Sequence, residues 1–420
     1  MRLLGKPLHE VTPEDIQRLV EQRVQESISL EYKSQFPDLK KDSEKKKFLA
    51  DVCALANRVG GVIIYGIEED KDEEGKNTGI ARQISGIDEV NLDIVRQQCE
   101  QVIRTGIEPV IKSIAIEEKK VTDKTVLLVG ISRSLSAPHM VCFDKSGKFY
   151  SRNSAGKYQM NVHEIRQAFN ETSEWISTAN KFRTDRIDIM QSGRGVPNMR
   201  IERHLILHIL PLGGNRDLID VTSLATRFRR RFAGNLLPYD KFNLEGYTAH
   251  GGSGIDGQYI LLHRSGALEG VYRLPAAFVQ GPEPQRMVIF GDRIELACLG
   301  TLRSYLSFAG ENEIMPPLCF FLTLLGVENA YMHLHDLCGY EFPALREYKH
   351  LTPMDVEGPL IDRNNIMFDG IYIDNTGQDA NDILAPVFNI LWQAGGQSKS
   401  PLNKETRQRL LDQDARLRRP

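Results

Sequence analysis

Cysteine is scarce and badly spaced for metal. The six cysteines, at positions 53, 99, 142, 298, 319 and 338, contain no Cys-x-x-Cys pair. That excludes a ribbon-type structural zinc and suits a reducing compartment. His333 and His335 stand near Cys338, a corner where a metal could sit; with so few other ligands in reach, plain packing is the better reading. Charge of one sign is also missing. The net charge is −3, which excludes a generally basic polymer binder and confines any nucleic-acid site to a local patch. Long apolar runs are absent. The most apolar stretch, Pro316 to Leu325, falls short of the roughly 20 residues a bilayer span needs and reads as a buried strand. Met1-Arg-Leu-Leu-Gly-Lys6 breaks off before a signal-peptide core can form, so a cytoplasmic protein with no membrane partner is expected. No internal repeat of the first half is visible in the second, and the phosphate loop G-x-x-x-x-G-K-[ST] does not occur, which weakens a nucleotide-binding module as the principal function.

What is present is ordinary globular composition. With 420 residues, 41% apolar and 26% charged, the chain can bury real cores and divide into two or three domains of roughly 150 residues each. The informative stretch is Glu26-Ser-Ile-Ser-Leu-Glu31-Tyr-Lys33. Ile28, Leu30 and Tyr32 alternate with Ser29, Glu31 and Lys33, the period of a strand with one apolar face. Glu31 and Lys33 then share the opposite face. Glu26 is an odd number of residues from Glu31 and must come from the turn entering the strand. Two carboxylates and an ammonium so placed can hold a divalent metal and a phosphate; an exposed strand face with surface charges is the plainer alternative.

Thr12-Pro13-Glu14-Asp15 opens a first helix with an N-cap, a first-turn proline and two acids. A second helix starts at Asp42 or Ser43, carries Phe48, Leu49, Val52, Cys53, Leu55, Ala56 and Val59 inward, and stops at Gly60-Gly61. The lysines at its start, Lys46 among them, oppose the helix dipole, so a phosphate backbone or plain solvation could be what they answer. Val62 to Ile67 is a continuous apolar strand that runs into Glu68-Glu69-Asp70, a place for a further acid. A helix is predicted over 91–105, strands over 110–116 and 125–131, and a hairpin turning at Lys145-Ser-Gly147. Beyond it Tyr150, Arg152, Lys157 and Tyr158 mix base and aromatic, which suits a phosphate backbone with stacked bases, or a surface hairpin. A helix from Val162 to about Trp175 closes a first domain over 1–176, and 177–199 reads as a linker, polar over 180–186 and set apart over 191–198 by its Gly and Pro content. A second α+β domain over 200–400 opens with a strand at Leu205. Its helix after Asp220 bears Arg227, Arg229, Arg230 and Arg231, interrupted by Phe228 and Phe232. These arginines face nucleic acid, an acidic partner or solvent. A hairpin at Ser265-Gly266, helices over 293–306 and 383–392 and a loose tail over 401–420 complete the reading.

Glu26-x4-Glu31-x-Lys33, the helix end Ala54-Leu-Ala-Asn57-Arg-Val-Gly60-Gly61, the strand with acids after it, and Tyr150-Ser-Arg152-Asn-Ser resemble, in order and spacing, the Schlafen core or AlbA-type DNA-binding family over roughly residues 20–170. The resemblance implies an α/β (α+β) chain: a mixed-sheet lobe with flanking helices, followed here by a second α+β domain. Several members are metal-dependent endoribonucleases that cut tRNA and related structured RNA, with three acids in the active site. Two match Glu26 and Glu31; the third, beyond the Gly-Gly strand, matches Glu69, with Glu68 as its substitute. The implied cofactor is Mg²⁺ or Mn²⁺ on these acids, since hard ions prefer oxygen. Lys33 would stabilise developing charge, and Arg152, Lys157, Tyr158, Lys46, Arg229 and Arg230 are the expected nucleic-acid contacts. The expected partners are tRNA-like RNA or single-stranded nucleic acid, a second copy of the chain to complete a groove, and an activating ligand or phage protein on a C-terminal sensor in antiviral defence. A non-catalytic DNA-binding transcriptional regulator is the alternative.

Overall fold

The computed structural model describes residues 2–417 apart from 5, 90, 113, 146, 155, 196–201, 213–217, 234–236, 252–256, 280–285, 313, 315 and 335–357. It confirms an α+β chain with several mixed sheets. The chain separates into two compact units: Met1–Ser177 with Leu212–Gly214 and Gly310–Pro317, and Thr178–Pro211 with Asn215–Ala309 and Leu318–Pro420. His335 and Cys338 lie outside the described residues.

The first unit is built on a four-stranded sheet. Its strands are β1 (Leu30–Lys33), β2 (Gly60–Tyr65), β5 (Ile114–Val121) and β6 (Lys124–Ser132) in the order β1-β2-β6-β5, with β1 parallel to β2 and the others antiparallel. A hairpin follows β2, formed by β3 (Ile67–Lys71) and β4 (Asn77–Ile84). Both faces of the sheet are covered, which is why β2 and β6 read as unbroken apolar runs. Ile63, Tyr65, Leu127 and Val129 meet helix α2 (Asp42–Ala56) through Phe48, Val52 and Cys53, and helix α3 (Leu92–Gly106) through Val95, Cys99 and Ile103. Val62, Ile64, Val126 and Leu128 turn to the other side, against Ile16 and Leu19 of helix α1 (Pro13–Glu21) and Leu30 and Tyr32 of β1. The strands β7 (Lys148–Asn153) and β8 (Gly156–Gln159) pair with each other, and β7 extends to Met140–Val141.

Helix α1 has the expected Thr12 cap, completed by Asp15 as a reciprocal capping box. Other boundaries moved. The strand predicted from residue 26 begins only at Leu30, because a tight turn joins Ser27 to Leu30. Helix α2 begins at Asp42 but has no side-chain cap, and it ends at Ala56, so Gly60 and Gly61 do not stop it but open β2. The interval left between the strands predicted over 110–116 and 125–131 is itself mostly strand, since β5 runs to Val121 and β6 starts at Lys124. The helix from Val162 continues to Gln191, so 177–191 is helical and not a linker. This helix, α4, has its last turns packed in the second unit through Ile187 and Met190.

The second unit has an eight-stranded antiparallel sheet. Strand β9 (His204–Pro211) lies between β13 (Leu268–Arg273) and β14 (Leu318–Leu325); outward from β13 come β12 (Gln258–His263), β11 (Gly246–Gly251) and the edge strand β10 (Tyr239–Phe242), and short strands at Asn365–Met367 and Ile371–Ile373 pair with β14. Helix α5 (Val221–Phe228) has the Asp220 cap, and helices α6 (Gly291–Glu311) and α7 (Ala380–Ala394) are longer than predicted. The tail is not loose. Residues Lys404–Leu417 form helix α8, anchored where Arg407 Nε donates to the buried Glu295 Oε2 at 2.5 Å and Leu410 packs on Leu296. No helix among the described residues is long and apolar enough to cross a membrane.

Candidate active site

The acids of the first unit are assembled by a turn and a hairpin. The Ser27–Leu30 turn lies directly on β2: a Cβ on Gly61 would stand 2.2 Å from Ser29 O, so only glycine permits the approach. The turn carries Glu26 back alongside β1, where its Oε1 accepts from Tyr32 N at 2.6 Å. The backbone N–H of Glu26 donates to Gly79 O at 2.6 Å on β4. Gly79 holds a left-handed φ of +74°, and its own N–H donates to Glu69 Oε2 at 3.1 Å. Glu69 Oε1 accepts from Asn77 Nδ2 at 3.0 Å. Gly79 thus ties both acids, and Glu69 lies near enough to act on Glu26. Burial chiefly raises the Glu26 pKa, the negative charge of Glu69 adds to the rise, and the Tyr32 N–H, Lys33 and Arg152 oppose it.

Glu31 is not on an open face. It is nearly buried, and each of its oxygens has a cation: Lys33 Nζ on Oε1 and Arg152 Nη1 on Oε2. Arg152 is 1% exposed. Its guanidinium also donates to Ser27 O at 3.2 Å and Leu30 O at 3.3 Å, so it clamps the turn that sets out both glutamates. Burial lowers its pKa and Glu26 pushes it back up; an arginine keeps its charge there regardless. The expectation that Arg152 grips a phosphate backbone is corrected by this burial. Its strand is fixed in turn by Asn57, whose Nδ2 donates to Tyr150 O and His139 O, both at 2.9 Å, and whose Oδ1 accepts from His139 N at 2.6 Å.

The remaining residues are scattered. Glu68 points away and accepts from Gln83 Nε2 at 2.6 Å, so it is no stand-in for Glu69 here. Lys157 is paired with the buried Asp51 at 2.5 Å, and Tyr158 donates to Glu164 at 3.0 Å. Lys46 lies 3.7 Å from Asp144. Arg229 and Arg230 belong to the second unit. Lys33, with about a third of its side chain exposed, is the accessible cation of the acid cluster. Sequence reasoning found Glu26, Glu31, Lys33, Glu69 and Arg152 but gave Gly79 no part in the site, reading it as loop where it lies in a strand. An isolated glycine inside an otherwise strand-like run was the available signal.

Among the described residues, no three His, Cys, Asp or Glu side chains gather closely enough to hold an ion. The three-acid centre expected from Glu26, Glu31 and Glu69 is not assembled, because Arg152 and Lys33 take up both oxygens of Glu31. The Glu26 and Glu69 pair remains. Two carboxylates are an adequate protein share for Mg²⁺, which takes its other ligands from water and substrate phosphate.

A mixed parallel and antiparallel sheet covered on both faces, with acids and a lysine at the end of its parallel pair, makes the first unit an α+β domain. Residues 26–161 match the family model described as Schlafen, AlbA_2, and this stretch of the chain is a Schlafen AlbA_2 domain. The match begins at Glu26 and takes in every acid of the cluster and Arg152. Among solved structures, the chain is similar to the DIP2311 protein from Corynebacterium diphtheriae, with 19% identity, 36% of this chain and 27% of that one covered, and a TM-score of 0.26. It is also similar to the N-terminal domain of a RecG-related protein from Nitrosomonas europaea, with 18% identity, 36% and 94% covered, and a TM-score of 0.26. The chain thus spans little more than a quarter of the length of the first. No curated protein matches it.

Proposed function

We propose that the first unit binds nucleic acid and hydrolyses its backbone, as a metal-dependent endoribonuclease with tRNA-like RNA as the favoured substrate. The observation that carries this reading is the joining of Glu26 and Glu69 at Gly79, beside the half-open Lys33. Glu26 and Glu69 would hold Mg²⁺ or Mn²⁺, which when bound neutralises phosphate charge and lowers the pKa of water. Lys33 places a positive charge where the phosphoryl oxygens gain negative charge. Glu31 keeps Lys33 in position, and Arg152 keeps the turn from moving. An antiviral setting, with the second unit as the sensor and a second copy completing the groove, extends the same family resemblance. Light scattering that finds only monomer, with and without RNA, removes the dimer.

A second reading has its own observation. The pairing of Glu31 with two cations removes one acid of the expected three, as suits a DNA-binding regulator that does not cut. The test is incubation of the full chain with a tRNA pool and Mn²⁺, resolved on a gel. Wild type should cleave, and Glu26→Gln and Glu69→Gln should each abolish cleavage while RNA binding holds or tightens. If wild type leaves tRNA, other RNA and single-stranded DNA intact yet retards duplex DNA, the regulator reading replaces the nuclease.

A further inference from the structure

The arginine cluster of the second unit is not used by the site above. Helix α5 gives way after Phe228 to a single π-helical turn, Arg229–Ala233, a feature common at functional sites. The wider turn sends the two phenylalanines inward. Phe228 and Phe232 stand 4.8 Å apart between ring centroids, and both meet Phe308, at 5.7 and 5.8 Å. With the backbone so fixed, Arg230 is held at the surface. Arg229 and Arg230 line a groove of about 540 Å³ with Thr222 and Thr226 of α5 and with Asp240, Phe242 and Tyr247 of the neighbouring strands. The single acid there is already answered: Tyr247 donates its hydroxyl to Asp240, and Arg229 Nη1 lies 3.7 Å from the same carboxylate. Arg230 therefore adds positive charge beyond that pair. Across the groove, Phe242 on the edge strand is 53% exposed, one side of its ring tilted against Tyr247 at 5.0 Å between centroids and the rest open to water.

We propose that this groove is a nucleotide site, with the phosphate taken by Arg230 and the Thr226 hydroxyl and the base stacked on Phe242. Guanidinium and hydroxyl donors with an aromatic platform match a phosphate joined to a base, and the volume lies within the range of small-molecule sites. No glycine-rich loop is needed, because side chains supply every donor. The ligand is a free nucleotide or the phosphorylated end of a strand; the chemistry is shared. The site has no residue in common with the acid cluster of the first unit and stands or falls apart from it.

The experiment is calorimetric titration of the full chain with ATP, with a 5′-phosphorylated oligothymidine of ten nucleotides, and with inorganic phosphate. Wild type should bind ATP or the oligonucleotide, and more weakly as salt rises. Arg230→Ala should weaken binding about tenfold or more, the usual loss for a charge-assisted hydrogen bond. Phe242→Ala should weaken the two base-bearing ligands and leave phosphate unaffected. Both side chains are exposed, so the thermal midpoint should hold. Glu26→Gln should leave the ATP and phosphate affinities unchanged. Binding of ATP alone assigns the groove to a free nucleotide, and binding of the oligonucleotide alone assigns it to a strand. Absence of binding by both overturns the proposal, as does an affinity that neither Arg230→Ala nor Phe242→Ala alters.

Discussion

Each unit buries a glutamate against an arginine, and the two pairs differ at their edges. In the second unit Glu269 is fully buried and accepts from Arg186 twice, at 2.6 and 2.7 Å, from Tyr259 at 2.6 Å, and meets His208 Nε2 at 3.1 Å. Every partner is itself buried; the set rivets the end of α4 to β9, β12 and β13. In the first unit Glu31 has Arg152 on one oxygen, deep in the protein, but Lys33 on the other, part-way into solvent. Beside it Glu26 is held with a raised pKa. A buried ion pair is by itself no sign of chemistry. What distinguishes the first is a replaceable partner and a neighbouring carboxylate that water or a cation can reach.

The largest effect expected from this contrast is on stability. Glu269→Gln leaves Arg186 with the part-exposed Glu245, at 2.6 Å, as its remaining carboxylate and strips the charge from the centre of the network, and should cost about 3 kcal/mol. Glu31→Gln should cost less, roughly 2 kcal/mol, since Arg152 keeps the carbonyls of Ser27 and Leu30. The chain has two tryptophans, Trp175 in the first unit and Trp392 in the second. Urea unfolding followed by fluorescence in Trp175→Phe and Trp392→Phe backgrounds separates the two losses. Equal costs would erase the distinction. For the same reason Glu31→Gln is a poor test of catalysis, and the Glu26 and Glu69 variants are better.

The pH dependence should run in opposite senses. For Glu269 burial pushes the pKa up, but hydrogen bonds from Arg186 and His208 with their charge overcome it and hold the carboxyl well below its ordinary 4.5. The unfolded chain then takes up a proton that the folded chain refuses. The second unit keeps this stabilisation above about pH 4.5 and loses it as pH falls further. For Glu26 burial and Glu69 raise the folded pKa above 4.5. The folded chain retains a proton that the unfolded chain has released, so the first unit loses stability as pH rises through the interval above 4.5. Unfolding midpoints of each unit measured from acid to neutral pH show the two slopes, and Glu26→Gln should flatten that of the first unit alone.

The smallest effect is at Lys33. Lys33→Met removes a part-exposed partner and should shift stability by less than about 1 kcal/mol. It should weaken nucleic-acid binding and lower the salt slope by about one. A slope unchanged in the mutant would place Lys33 away from phosphate.

The sequence made local chemistry legible and left tertiary chemistry hidden. The Thr12 capping box, the Asn91 and Asp220 caps and the hairpin at Ser265-Gly266 all depend on neighbours within a few residues, and each was readable. The apolar runs of β2 and β14 were readable for the same reason. Arg152 was noticed for its charge, but its burial depends on a turn far away in the chain. The periodicity of Ile28, Leu30 and Tyr32 suggested a longer strand because a two-residue alternation cannot reveal where Ser27 turns back on Leu30. Residues 177–191 looked like a linker by polarity, since Arg183 and Arg186 count as surface residues until their carbonyl and carboxylate partners are seen. The helix in the tail is hidden in the same way, because its anchor Glu295 lies inside α6.

Gly79 has a consequence of its own. One peptide unit receives the Glu26 amide on its carbonyl side and serves the Glu69 carboxylate from its amide side, so the gap between the two acids is set by the pose of a single residue. A side chain at that position, disfavoured by the left-handed φ, would disturb both acids together. The β3–β4 hairpin is therefore the natural gauge of their separation, and a ligand that twists it would widen or narrow that gap without touching either glutamate.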